Sequence, residues 1–296
     1  MMSVPRTVMV SASIVTWNSA AYIRDCLRSL LDSGPRIQLE ITVVDNASSD
    51  ETVSVIQREF PHIRLIQNET NLGYTRAMNQ GIAGAQGDFI LQLNPDTILF
   101  PGALETMVDF LQMHPEVGLV GPQLLDPDGT VQPSCREFPT FRTLVYEMFG
   151  LSWLFPRSPR FGHWRMGYFD HLTSRVVDQP MGACVLIRKD VMAQIGQLDE
   201  RFFMFYSDVD LCVQVQRLGY QNYFLVDAQV THYKGVSVKR RRPAMIYSAH
   251  QSMYAFLKKY YANQPLKLAL SKAILFIGSG LRISWDYSTV WLHAKS

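Results

Sequence analysis

The chain is 296 residues long, 47% hydrophobic and 18% charged, which suits a well-cored α/β domain carrying an appendage. Its net charge of +2 is unevenly spread: from His232 onward there are 11 Lys or Arg and 1 acid, leaving 17 bases and 25 acids before it, a body of −8 and an end of +10. The four cysteines lack zinc-ligand spacing and no stretch reaches the ~20 apolar residues of a membrane span, so a zinc module and an integral membrane protein are excluded, and buried free thiols in a cytoplasmic protein are expected.

In chain order, Val8–Thr16 reads as a buried strand, an apolar run too short for a secretory signal. Ser19–Leu31 carries a helical stripe that Gly34-Pro35 ends. Leu39–Asp45 is a second strand, and Ser48 or Ser49 can cap a helix running to Phe60. Ile63–Gln67, a helix over Tyr74–Ala85 and a strand at Phe89–Leu93 complete a β-α-β-α-β-α-β order, which calls for a parallel sheet with helices on both faces. Ligands of such sheets bind beyond the carboxyl ends of the strands, where Asp45 and Asp96 fall. Pro101–His114 reads as a helix, Val117–Val120 as a strand and Asp126-Pro127-Asp128-Gly129 as a turn. From Pro133 to Thr173 the pattern fails and an irregular excursion is expected. Regularity returns with a strand at Ala183–Ile187, a helix at Lys189–Ile195, a helix from Asp208 to Leu218 that Gly219 closes, and a strand at Tyr223–Val226. Two helices, Ala244–Tyr261 and Leu266–Trp285, end the chain. The second places Lys267, Lys272 and Arg282 around an apolar run, which suits a membrane interface or packing on the body or a second subunit.

Several of these junctions carry chemistry. Asp45, at the end of a strand, can accept the imino N–H of a pyrimidine base or simply cap the next helix; Asn46 and Ser48 add polar contacts. In Asn94-Pro95-Asp96 the proline keeps the backbone extended, so Asn94 and Asp96 can project from one face, an oxygen-rich setting for Mg²⁺ or Mn²⁺ shared with substrate phosphates. Gly73-Tyr74-Thr75-Arg76 opens a helix, where N–H groups and Arg76 can meet a phosphate. Asp208 and Asp210 follow the aromatic run Phe202–Tyr206. Aromatic walls desolvate a carboxylate and raise its pKa, so Asp208 is the candidate general base and Asp210 a neighbour-orienting or capping acid. His232 follows the last strand as a candidate metal ligand, with the basic run Lys239-Arg240-Arg241-Arg242 beside it to hold phosphates. That run lacks aromatic stacking partners, which tells against nucleic acid.

Taken in order, Ser13–Asn18, Val43–Asp50, Asn71–Tyr74, Leu93–Thr97, Gly182-Ala183 with Val185–Arg188, Leu198–Cys212 and His232–Ser237 resemble the family 2 inverting glycosyltransferases of GT-A fold, in particular their rhamnosyltransferase-like branch. The resemblance implies a GT-A domain at residues 1–237 and a basic helical extension at 238–296. It implies a nucleotide-sugar donor, with Thr16, Asn18, Asp45 and Asn46 at the nucleoside, Asn94 and Gly182 near the donor, Asp96 and His232 facing a divalent metal, and Asp208 as base. It further suggests dTDP-L-rhamnose as donor and a glycan on a polyprenyl diphosphate as acceptor, the protein lying peripherally on the inner face of the cell membrane. Asn94 stands where many relatives have Asp, and Ser207 where the family has Glu. These departures keep open a UDP-sugar transferase (N-acetylglucosamine, galactofuranose) and a non-catalytic scaffold of a glycan assembly complex.

Overall fold

The structure is a computed structural model and describes residues 7–233 and 242–293. Its frame is a nine-stranded mixed sheet. β1 (Val8–Thr16), β2 (Ile37–Asp45), β3 (Arg64–Gln67) and β4 (Phe89–Leu93) are mutually parallel, in the order β3-β2-β1-β4. Next to β4 lie β10 (Cys184–Arg188), β6 (Val117–Leu125) and β11 (Gln221–His232). β10 runs antiparallel to both neighbours, whereas β6 and β11 are parallel. The other side of β11 takes β8 (Arg175–Val177) near its start and β5 (Thr97–Leu99) near its end.

Period-two alternation sorts the strand side chains between two helical layers. Leu91 and Leu93 of β4 and Cys184 and Leu186 of β10 face α1 (Ile23–Leu31), α2 (Thr52–Glu59) and α4 (Ala103–Met113). Ile90, Val185 and Ile187 face the other way, onto α3 (Tyr74–Ile82), α7 (Lys189–Ile195) and α8 (Ser207–Arg217). All four cysteines are free and buried in this interior, and burial pushes the Cys26 thiol up to about 12.

Three features depart from the sequence reading. Neither Ser48 nor Ser49 caps α2: they are turned toward Asp45 and Asn18, the N-cap position is Glu51 without a side-chain cap, and Thr52 N donates to Asp50 Oδ1 at 3.0 Å. β11 runs on to His232, past a bulge after Leu225, and pairs there with the unforeseen β5. The excursion after Pro133 is not structureless: it holds β7 (Cys135–Arg136), paired with β9 (Gln179–Pro180), then α5 (Phe141–Met148) and α6 (Leu151–Leu154). A capping box between Thr140 and Thr143 starts α5.

The chain ends in α9 (Arg242–Tyr260) and α10 (Pro265–His293). Phe256 of α9 packs against Phe202 and Val209, while Met253 and Leu257 join Leu144 of α5 and Leu268 and Leu275 of α10. Each fully buried side chain of this kind contributes roughly 1.5–3 kcal/mol. Lys259 fixes the end of α9: its Nζ lies 2.7 Å from Asp199 and 2.6 Å from Asp210. Among the described residues no helix is long and apolar enough to cross a membrane.

Candidate active site

At the carboxyl ends of β1, β2 and β4 a cleft of about 950 Å³ opens, large enough for a sugar donor with room beside it. Thr16, Asn46, Asn94, Asp96, Gly182, Asp208 and His232 of the candidate residues line it. Three non-glycine residues at or beside the cleft, Asn18, Ala47 and Tyr206, have φ of 53, 62 and 73°, a strained left-handed backbone that tends to gather at functional sites.

One wall is built around Asp208. Tyr206 precedes α8, so Asp208 sits in the first turn of that helix. Its Oδ2 accepts Gln179 Nε2 at 2.8 Å and Gly182 N at 3.2 Å, and its Oδ1 accepts Val209 N at 2.9 Å. A carboxylate offers about four acceptor positions, so one remains for a substrate hydroxyl. Burial pushes its carboxyl above the usual carboxylate range, against the pull of those hydrogen bonds. Residue 182 must be small here, since a Cβ on Gly182 would lie 2.7 Å from Asp208 Cβ.

The cleft is also lined by the pair Asp96 and His232. β5 brings them together by pairing His232 with Thr97, and Tyr233 N donates to Asp96 O at 2.9 Å. Gln132 Nε2 donates to His232 O and to Asp126 Oδ1, each at 2.7 Å, so its Oε1 is the acceptor turned to His232 Nδ1 at 3.2 Å. Nδ1 therefore donates to Gln132, and Nε2 lies 3.6 Å from Asp96 Oδ1. Burial raises the Asp96 carboxyl and His232 opposes the rise. With the ring deprotonated at Nε2, these two groups would offer a nitrogen and an oxygen ligand to a divalent cation, too few to hold it without ligands from elsewhere. No cluster of three or more acids, histidines or cysteines offers a complete cage among the described residues. The Asn94 side chain lines the same wall, its backbone N–H held by Ala183 O at 2.8 Å.

Asp45 and Asn18, two further candidates, lie at the end of β2 and just past the end of β1, outside the residues that line the cleft. Asp45 is 2% exposed beneath the rim. It accepts Thr16 Oγ1 at 2.9 Å, Ser48 N at 2.9 Å and Ser48 Oγ at 2.5 Å, which leaves it one acceptor position. Asn18 sits behind Trp17 and accepts Ser49 N at 2.7 Å.

Two candidates are corrected. Asn46 spends its full capacity on the loop above it: Oδ1 accepts Asn68 Nδ2 and Leu72 N, each at 3.1 Å, and Nδ2 donates to Asn71 Oδ1 at 3.2 Å and Gly73 O at 3.0 Å. It is a clamp for residues 68–73 and has nothing left for a nucleoside. Arg76 is exposed on α3 and does not line the cleft, and the Tyr74 N–H beside it is taken by Phe203 O at 2.7 Å. Asp210 also lies off the cleft, 1% exposed, bound by Lys259, Tyr260 and Gln214. Residues 234–241, with most of the basic run, lie outside the described residues.

Sequence reasoning missed Gln179, the donor to Asp208, although it lies three residues before Gly182. Asn79, which the sequence places on the helix opened by Gly73 and Tyr74, exchanges two hydrogen bonds with the Leu198 backbone (3.0 and 2.9 Å) and so holds the loop leading to Asp208, a role the sequence did not suggest. Arg136, paired with Gln179 across β7 and β9, lines the cleft as well.

A mixed sheet with acids converging on its carboxyl rim is the frame of the GT-A glycosyltransferases. The chain belongs to glycosyl transferase family 2, which matches residues 11–174. It is 30% identical over 293 residues to the N-acetylglucosaminyl-diphospho-decaprenol L-rhamnosyltransferase of Mycobacterium tuberculosis H37Rv, covering 91% of this chain and 93% of that one. Among solved structures it resembles the mannosyltransferase PcManGT of Pyrobaculum calidifontis in complex with GDP-Man and Mn²⁺, with a TM-score of 0.58, 17% identity, and 99% of this chain and 83% of that chain covered. It also resembles Staphylococcus aureus TarS 1–349 in complex with UDP, with a TM-score of 0.52, 16% identity, and 95% and 91% covered. These two likenesses establish the fold, and family membership establishes a glycosyltransferase.

Proposed function

We propose that this chain is an inverting transferase that moves L-rhamnose from dTDP-L-rhamnose to a hydroxyl of a glycan carried on a polyprenyl diphosphate. The observation that carries the chemistry is the cleft itself: a desolvated Asp208 with an acceptor position left over, lining the same cleft as Asp96 and His232. The full-length similarity to a rhamnosyltransferase acting on a decaprenol-linked sugar supports the choice of donor and acceptor.

In this reading the acceptor hydroxyl donates its proton to the free position on Asp208. Its oxygen bonds the anomeric carbon as the bond to the diphosphate oxygen breaks, and the electron pair leaves with the nucleoside diphosphate. Attack opposite the leaving group inverts the anomeric centre. Gln179, the Gly182 N–H and the Val209 N–H hold the carboxylate in place. Asp96 and His232 would hold Mg²⁺ or Mn²⁺, which when bound supplies charge neutralisation of the departing diphosphate. Asn94 and Gly182 border the sugar, while Thr16, Asn18 and Asp45 shape the nucleoside end. The catalytic unit is residues 1–237, and 238–296 is an extension through which the protein contacts the membrane or a second subunit.

A thermal-shift series with dTDP, UDP and GDP, each with and without Mn²⁺, tests the donor. Saturation at about 100 times the dissociation constant adds ~2.7 kcal/mol of stability. The melting temperature should therefore rise most with dTDP plus Mn²⁺. A UDP-only response would move the donor to a UDP-sugar, and no response to dTDP or UDP with metal present would overturn the proposed donor.

A further inference from the structure

The segment that sequence left without pattern carries several highly exposed apolar side chains among the described residues. α5 turns Phe141, Leu144 and Met148 inward against α9 and α10. The next turns point the other way: Phe149 is 73% and Trp153 81% exposed, with Leu154 and Phe155 beside them. α10 repeats the division. Leu268, Ser271, Leu275 and Gly278 face inward, whereas Leu270, Phe276 and Ile277 face solvent, Phe276 at 72%. A helix apolar on both faces needs a partner for the outer one.

The two apolar surfaces adjoin. Met148 packs so closely on Gly278 that a Cβ there would lie 2.5 Å from its sulfur. The end of α5, with Phe149 next to it, thus meets α10 at the level of Phe276 and Ile277. Soluble monomers rarely expose an apolar patch of this extent. Its charges have one sign: Arg142, Arg157, Arg160, Lys267 and Lys272 are exposed around it. The acid of α5, Glu147, is held by two hydrogen bonds from Arg165, and residues 262–280 contain no acid.

We propose that this face, the 149–155 tip together with the outer side of α10, docks on an anionic lipid bilayer. Aromatic side chains at headgroup depth with cations around them are the pattern of an interfacial anchor. A second copy fits less well, because a two-fold contact through this patch would set its cations against their own equivalents. Tyr206 lines the cleft and packs with Phe141 and Met148, so the docking face and the cleft share a wall. The inference deepens the lipid-linked acceptor reading and rests on it for its purpose.

The test is co-sedimentation of the full chain with vesicles of phosphatidylcholine, with or without phosphatidylglycerol. The wild-type chain should pellet with the anionic vesicles, less so at raised salt. Phe149→Glu and Trp153→Glu should each weaken binding about tenfold or more. Both positions are exposed, so melting temperature and transfer to a short water-soluble acceptor should be unchanged. Wild-type protein left in the supernatant, binding indifferent to both substitutions, or a dimer that Trp153→Glu disperses in place of vesicle binding would overturn the proposal. Vesicle binding without transfer to the soluble acceptor would instead count against the transferase reading and leave this face standing.

Discussion

Asp208 concentrates the residue-scale argument. A carboxylate must be ionised to accept a proton, and burial raises the pH at which that happens. The acid limb of kcat/KM should therefore lie above the ordinary aspartate value of about 3.9. The hydrogen bond from Gln179 favours the ionised form, so Gln179→Leu should move the limb to still higher pH. A pH profile of both proteins checks this. A limb unmoved by Gln179→Leu would mean that another group, such as Asp96, sets it. The place of Asp208, in the first turn of α8 and at the cleft, was legible in the sequence because an acid after an aromatic run at a helix start stands out. Asn46 misled for the opposite reason. Its amide is consumed by Asn68, Asn71, Leu72 and Gly73, contacts that exist only once the loop has folded back over β2.

At the scale of elements, the anchor of α9 decides whether the C-terminal helices stay on the body. Burial alone would raise the Asp199 carboxyl, but hydrogen bonds from Arg201 and Lys259 reverse that and hold it well below the usual carboxylate range. Lys259→Met would leave Asp210 buried with only Tyr260 and Gln214 as donors, at a cost of roughly 3–5 kcal/mol. Chemical denaturation should show that loss. The native Asp199 binds its proton more weakly than the unfolded one, so this stabilisation is present above about pH 4 and disappears as pH falls through the folded value. Lys259→Met should accordingly flatten the acid side of the stability profile; an equally steep profile would place the linkage elsewhere.

Elements resting on the central sheet were legible because their buried faces repeat at strand or helix period. α5 and α6 were not: the inward residues of α5 meet α9 and α10, more than a hundred residues away, its Thr140–Thr143 box lacks the usual Glu or Gln, and α6 is only four residues long. β5 is three residues long and exists through its pairing with β11, too short for any pattern to declare.

Across the whole molecule, three acids far apart in sequence come to one rim of one sheet. Asp96 and Asp208 both line the cleft, and Asp45 is buried at the end of β2, tied to the cleft-lining Thr16. The sheet order explains this convergence. Parallel β1, β2 and β4 bring their carboxyl ends together, and antiparallel β10 places the turn before it, with Gly182, at the same rim. The order of motifs pointed to that arrangement. The antiparallel insertion and the extension of β11 to His232 were hidden, because strand direction and length depend on pairing partners.

The most direct test of Asp208 as the base is transfer by Asp208→Asn measured beside donor binding in the same preparation. The substitution keeps the shape of the side chain and removes its capacity to take a proton. Turnover should fall by about 10²–10⁴-fold while donor affinity stays within a few-fold of wild type. Transfer at the wild-type rate, or a loss of donor binding in proportion to the loss of transfer, would contradict that assignment.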